Sequence, residues 1–301
     1  MHVLEVRHRT TYLYNVPVEL GEHRLMSRPR DSHDLRLLDT GLRVSPQPAN
    51  LRWIHDVFGN SIAIAAFGPE PARELSVESS FRAERYPAER QALLELEPYA
   101  RQLPFAYAPD DALDLGRSKE RHYPDPEGRI DAWARGFVEQ AHQDTLGVLE
   151  AMTSGIKQQL TYAARDAAGV QSPLETLQKG SGSCRDFAVL MMEGVRSLGL
   201  AAHFVSGYLY DDKRVGTPDS VKGSVNSRMV GGGATHAWIS VYLPGAGWVE
   251  LDPTNALIGG GNLIRVAVAR SAAQAAPLTG TYRGPPGALE RMSVEVQVTA
   301  N

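Results

Sequence analysis

The stretch Gly180-Ser181-Gly182-Ser183-Cys184-Arg185-Asp186-Phe187 constrains the fold more than any other part of this chain. Small residues and a serine lead directly into an apolar pattern. Phe187, Leu190, Met191, Gly194, Val195 and Leu198 recur at helical spacing, and Gly199 supplies a C-terminal stop. Ser183 can cap the helix, and Asp186 stands where a capping-box acid belongs. A stripe this apolar must be buried against a neighbouring element. The first turn of that helix carries Cys184, the single cysteine among 301 residues. The partial positive charge of a helix start favours a thiolate at such a position. The N–H groups of the first turn have no helical acceptor and can receive an oxyanion.

A lone cysteine is equally well a small buried hydrophobe, so position alone leaves core filler and nucleophile open. The balance is tipped downstream. His236 stands in Thr235-His236-Ala237-Trp238, and Asp252 in Glu250-Leu251-Asp252-Pro253-Thr254. Both runs read as strands, joined by a turn at Pro244-Gly245-Ala246-Gly247. An odd loop, such as Pro244–Ala246, pairs even positions with even ones. His236 and Asp252 then share a face, opposite or diagonal, about 5–8 Å apart at Cβ. An even loop without a bulge separates them. Taken singly, His236 reads as an ordinary strand histidine and Asp252 as a turn acid before proline. His203 is the competing histidine; no acid follows it at comparable spacing, so it reads as structural.

Gly182-Ser183-Cys184-Arg185-Asp186-Phe187, Ser206-Gly207-Tyr208-Leu209, His236-Ala237-Trp238 with Tyr242-Leu243-Pro244-Gly245, and Asp252-Pro253-Thr254 together resemble the bacterial transglutaminase-like superfamily, of the cysteine protease type with an N-terminal β domain. The resemblance is strong over about 128–270 and weaker over the amino-terminal part. It implies a papain-like triad of Cys184, His236 and Asp252. It also implies an α+β fold: an N-terminal antiparallel β-sandwich, then a papain-like transglutaminase core with helices packed on an antiparallel sheet. The implied chemistry is acyl transfer at amide bonds through a thioester on Cys184, with peptide or amide hydrolysis favoured. The alternatives are a cross-linking or deamidating transglutaminase and a non-catalytic binding module on the same fold. The Cys184 N–H is one expected oxyanion donor. Tyr162 is a candidate for the second, against a plain core tyrosine. Trp238 is read either as core or as a shield for the ion pair and wall of the acyl pocket.

The rest of the chain divides into a β-rich domain at 1–110, a linker at 111–127, the core at 128–270, and a loop with a final strand at 271–301. Short strands punctuated by Pro17, Pro46, Pro48 and Gly59-Asn60 fill the first part. Prolines between 87 and 127 mark a solvated connection with short helices around Gln91–Leu96 and Asp111–Leu115. The glycine-rich run Asp211–Ala234 reads as a loop able to gate a cleft or merely to link two strands. Ser271–Pro286 reads as loop, and the partner of the alternating strand at 292–299 is open.

With 43% hydrophobic and 22% charged residues the chain can bury a core unaided. A net charge of −4 gives no reason to expect nucleic acid or an anionic membrane as partner. A peptide or protein substrate is expected, with no cofactor and no metal; the oligomeric state is not readable. No secretory signal and no apolar run of membrane-spanning length is present, so the expected location is cytoplasmic.

Overall fold

The computed structural model describes residues 2–86, 95–165, 168–210, 230 and 234–300. The helix expected around Gln91–Leu96 and the loop expected at Asp211–Ala234 fall largely outside these residues. The chain opens with β1 (His2–Arg28), followed by β2 (Leu35–Ser45), β3 (Asn50–His55), β4 (Ser61–Ala66) and β5 (Ala72–Arg85). Alternation does place Leu4, Val6, His8, Thr10 and Tyr14 inside. Pro17, however, does not end the strand. Pairing with β5 shifts register between Leu13 and Val18, and the proline sits where the ladder is already interrupted.

A helical core follows: α1 (Pro109–Leu115), α2 (Arg129–Gln140), α3 (Thr145–Gln159), α4 (Pro173–Lys179) and α5 (Cys184–Ser197). The two-residue strands β6 (Thr161–Tyr162) and β7 (Ser181–Gly182) pair in parallel just before α5. Strands β8 (Ala202–Leu209), β9 (Thr235–Leu243), β10 (Gly247–Asp252), β11 (Leu257–Ile258) and β12 (Leu263–Ala269) form one sheet, in the order β11-β10-β9-β8-β12. Helix α5 packs on β9 and β8, with α2, α3 and α4 around it. Phe187, Leu190 and Met191 are at most 2% exposed, and each such burial contributes about 1.5–3 kcal/mol. Gly199, at φ +87°, ends the helix run as the sequence indicates.

Two further strands, β13 (Leu278–Arg283) and β14 (Leu289–Ala300), return to the first sheet, whose continuous order is β2-β5-β1-β4-β3. The first half of β1 pairs with β5 and β14, the second with β4 and β13. The two halves close over Tyr14, Leu25, Ala65, Leu75 and Val77, giving an antiparallel half-barrel of sandwich type. The loop expected over 271–286 is corrected here. Its centre is β13, short and poor in apolar residues, and visible only through its pairing with β1.

The connection at 111–127 is likewise less solvated than expected. Glu193 on α5 is fully buried and takes the backbone N–H groups of His122 and Tyr123 at 3.0 and 3.2 Å. Arg196, also buried, donates to the Ser118 carbonyl and to Glu193. A buried carboxylate needs donors, and this segment supplies them. No helix among the described residues is long and apolar enough to cross a membrane.

Candidate active site

Cys184 is the first residue of α5, 8% exposed. Its placement begins with Asp186, two residues on in the same first turn. The Asp186 carboxylate accepts the Ser183 N–H and hydroxyl, both at 2.8 Å, and the Gln171 N–H at 2.7 Å. Arg165 Nε closes the cluster with an ion pair at 2.9 Å. Burial alone raises the pKa of Asp186; the N–H groups of Gln171 and Ser183, the Ser183 hydroxyl and Arg165 outweigh it and hold the carboxyl below its usual range. The capping box read from sequence is therefore present, and it is braced by Gln171 and Arg165, which sequence reasoning missed. Their positions upstream carry no periodic signal.

The hairpin supplies the other two groups. Gly247 pairs with Leu243 and Trp248 with Tyr242, so the loop is the odd one, Pro244–Ala246. Even positions then face even positions, and His236 and Asp252 lie diagonally on one face. Gly247, at φ +71°, takes the left-handed conformation that lets such a loop rejoin the ladder. His236 Nε2 donates to Asp252 Oδ2 at 2.8 Å, with both side chains fully buried.

The second ring nitrogen, Nδ1, is buried and completes no hydrogen bond. The Cys184 thiol lies near enough to the ring to act on its pKa. Burial by itself lowers the pKa of His236. The charge and hydrogen bond of Asp252, joined by the nearby Cys184, overcome this and raise it to about 10. Asp252 is held below its ordinary range despite burial, first by the charge of His236.

Asn255 is the missed residue of this half of the site. Its Nδ2 donates to Asp252 Oδ2 at 2.8 Å, and its backbone N–H and that of Thr254 donate to Oδ1. It also exchanges two hydrogen bonds with the backbone of Val230. Its signal was the turn-forming run Asp252-Pro253-Thr254-Asn255.

Trp238 is fully buried and stacks near His236, with ring centroids 5.9 Å apart and planes at 28°. It therefore steadies the ring from within the core, and the reading of Trp238 as a pocket wall is corrected. Tyr162 is half-buried, and its strand pairs through Gly182, two residues before Cys184. Burial, then the charge of Cys184, pushes its pKa up to about 12, so the hydroxyl stays a donor. His203 lies elsewhere, stacked on Trp248 at 4.0 Å and bonded to Ser118 Oγ.

The pair makes a testable demand on stability. A histidine whose native pKa lies near 10, against 6.5 ordinarily, stabilises the fold fully below pH 6.5. That contribution is lost as pH rises through about 10. Denaturant unfolding should thus show stability falling between these limits, by at most about 1.4 kcal/mol per pH unit for one proton. In His236→Gln this segment of the profile should flatten; an unchanged slope removes the proposed cause.

Residues 4–84 match the family model for the bacterial transglutaminase-like N-terminal region, and residues 131–253 that of the transglutaminase-like superfamily. An uncharacterized protein of Mycobacterium tuberculosis is 30% identical over 311 aligned positions, covering 98% of this chain and 92% of that one. An uncharacterized protein of Mycobacterium leprae is 27% identical, covering 98% of both. A crystal structure of a candidate cysteine protease from Cytophaga hutchinsonii superposes with a TM-score of 0.65 at 20% identity, over 99% of this chain and 90% of that one. That likeness is one of fold.

Proposed function

Since this chain belongs to the transglutaminase-like superfamily, we propose that it is a cysteine enzyme that opens amide bonds of a peptide or protein through a thioester on Cys184. One observation carries the reading: His236 is locked through Nε2 to Asp252 and keeps Nδ1 for Cys184 at the start of a buried helix. Such an arrangement has the roles of nucleophile, base and orienting acid filled in order.

With the Cys184 proton held on His236, the sulfur attacks the amide carbonyl carbon, and the π electrons move to oxygen. The Cys184 N–H, without a helical acceptor, faces that oxyanion. As the C–N bond breaks, the imidazolium of His236 gives its proton to the departing amine. A water then loses a proton to His236 and attacks the thioester. The acid departs and the thiol is restored.

The Tyr162 hydroxyl is the second donor in this reading, since among the described residues it has no hydrogen-bond partner and its ring sits against Phe187 beside Cys184. Tyr162→Phe should lower kcat about 100-fold with little change in KM. Activity within twofold of the parent assigns the second donor elsewhere.

The deciding experiment is incubation with a proteome-derived peptide library in 18O water. Hydrolysis gives new carboxyl termini carrying the label, absent with Cys184→Ala. Incorporation of an added amine in place of the label would reassign the enzyme to transamidation. Neither product, together with a Cys184 that iodoacetamide alkylates no faster than an ordinary thiol, refutes the enzymatic reading.

A further inference from the structure

Strand β14 pairs with β1 along almost its whole length, in unbroken register from Leu4–Ala300 to Leu13–Arg291. Among the described residues nothing pairs with its other edge. An unpaired edge is a template for another strand unless it is short, bulged or guarded. The remaining edges of this sheet meet those conditions. Strand β2 has a register shift between Leu37 and Asp39, and β3 and β13 have six residues each. Strand β14 has 12 residues.

Its side chains show a core that stops too early. Even positions of β14 lie opposite even positions of β1, on the buried face: Val298 by Val6, Val296 by His8, Val294 by Thr10, Met292 by Tyr12. Val296 is 7% exposed, but Val294 is 38% and Met292 52% exposed. These two sit on the inner face, yet among the described residues the sheet ends before they are covered.

The charges select the partner. A copy of β14 laid antiparallel on this edge keeps faces matched only if paired positions have equal parity. Centring on Ser293 places Arg291 opposite the copy's Glu295, and Glu295 opposite the copy's Arg291. It also sets Met292 against Val294, twice. Centring on Met292 or Val294 instead makes no charge pair. Cross-strand pairs of opposite charge and of apolar groups each add about 0.2–1 kcal/mol, and a foreign strand lacking this spacing loses them. From this we propose that β14 is an interface with a second copy of the same chain, extending the sheet across a two-fold axis at Ser293.

The test reads register as well as association. In the full chain carrying Cys184→Ala, Ser293→Cys puts two thiols face to face on the axis, within disulfide reach. Gln297→Cys puts them about 26 Å apart, eight residues along the strand. With copper–phenanthroline as oxidant, Ser293→Cys should cross-link at least tenfold faster than Gln297→Cys. In sedimentation, the parent should dimerise at about 50 µM, at the weak end of protein association. Arg291→Glu should weaken that dimer at least tenfold. A parent that stays monomeric, equal cross-linking of the two cysteine variants, or a dimer indifferent to Arg291→Glu each overturns the proposal. None of these readouts depends on enzymatic activity.

Discussion

Asp252→Asn is expected to lower turnover by about 10,000-fold while the chain remains folded. The carboxylate accepts the His236 Nε2 hydrogen at 2.8 Å and so keeps Nδ1 as the nitrogen that exchanges a proton with Cys184. An amide nitrogen at the same place donates instead, which drives the ring hydrogen onto Nδ1. The base then points a proton at the sulfur and cannot take one. The same amide nitrogen would also oppose Asn255 Nδ2, which now donates to that oxygen at 2.8 Å. Folding is checked by near-ultraviolet circular dichroism, and chemistry by single-turnover acylation. Turnover within tenfold of the parent would remove Asp252 from the mechanism. A moderate loss from Asn255→Ala, well below that of Asp252→Asn, would place Asn255 as a positioning residue.

The second large effect concerns stability. Asp186→Ala should cost about 3–5 kcal/mol, the usual range for breaking a buried ion pair from one side. The carboxylate is fully buried and satisfies the Ser183 N–H, the Ser183 hydroxyl, the Gln171 N–H and side chain, and Arg165. Its removal leaves these donors and the Arg165 charge without their acceptor at the start of α5. Cys184 alkylation should become irregular in the same variant, because the helix turn presenting the sulfur loses its cap. Asp186→Asn keeps one acceptor and should lose less. Urea unfolding of the core measures both; a loss below 1 kcal/mol for the alanine variant would show that the cluster is not stabilising.

Much of the site was legible because its determinants are local. The stripe from Phe187 to Leu198 fixes a helix, Ser183 and Asp186 fix its start, and Gly199 its end. The turn at Pro244–Gly247 allows two loop parities, and the structure selects the odd one, which puts His236 and Asp252 on one face. Other features gave no such sign. Trp238 could be assigned to pocket or core, and its burial against Val205, Leu209 and Leu263 decided for the core. Glu193 looks in sequence like one more position on a helix, yet it is buried and draws the segment around His122 onto α5.

The amino-acid order alone determined where the Cys184 helix starts and stops and which positions alternate along each strand, and it narrowed the β9–β10 hairpin to two registers. Each of these follows from contacts within a few residues, where hydrophobic period and turn geometry act. Only the tertiary structure decided that Arg165 and Gln171 brace Asp186, that Asn255 holds Asp252, and that β13 and β14 rejoin β1. Those partners are distant in the chain, and a buried polar group or a strand edge accepts any donor of suitable geometry. Which one arrives is set by how the whole chain packs.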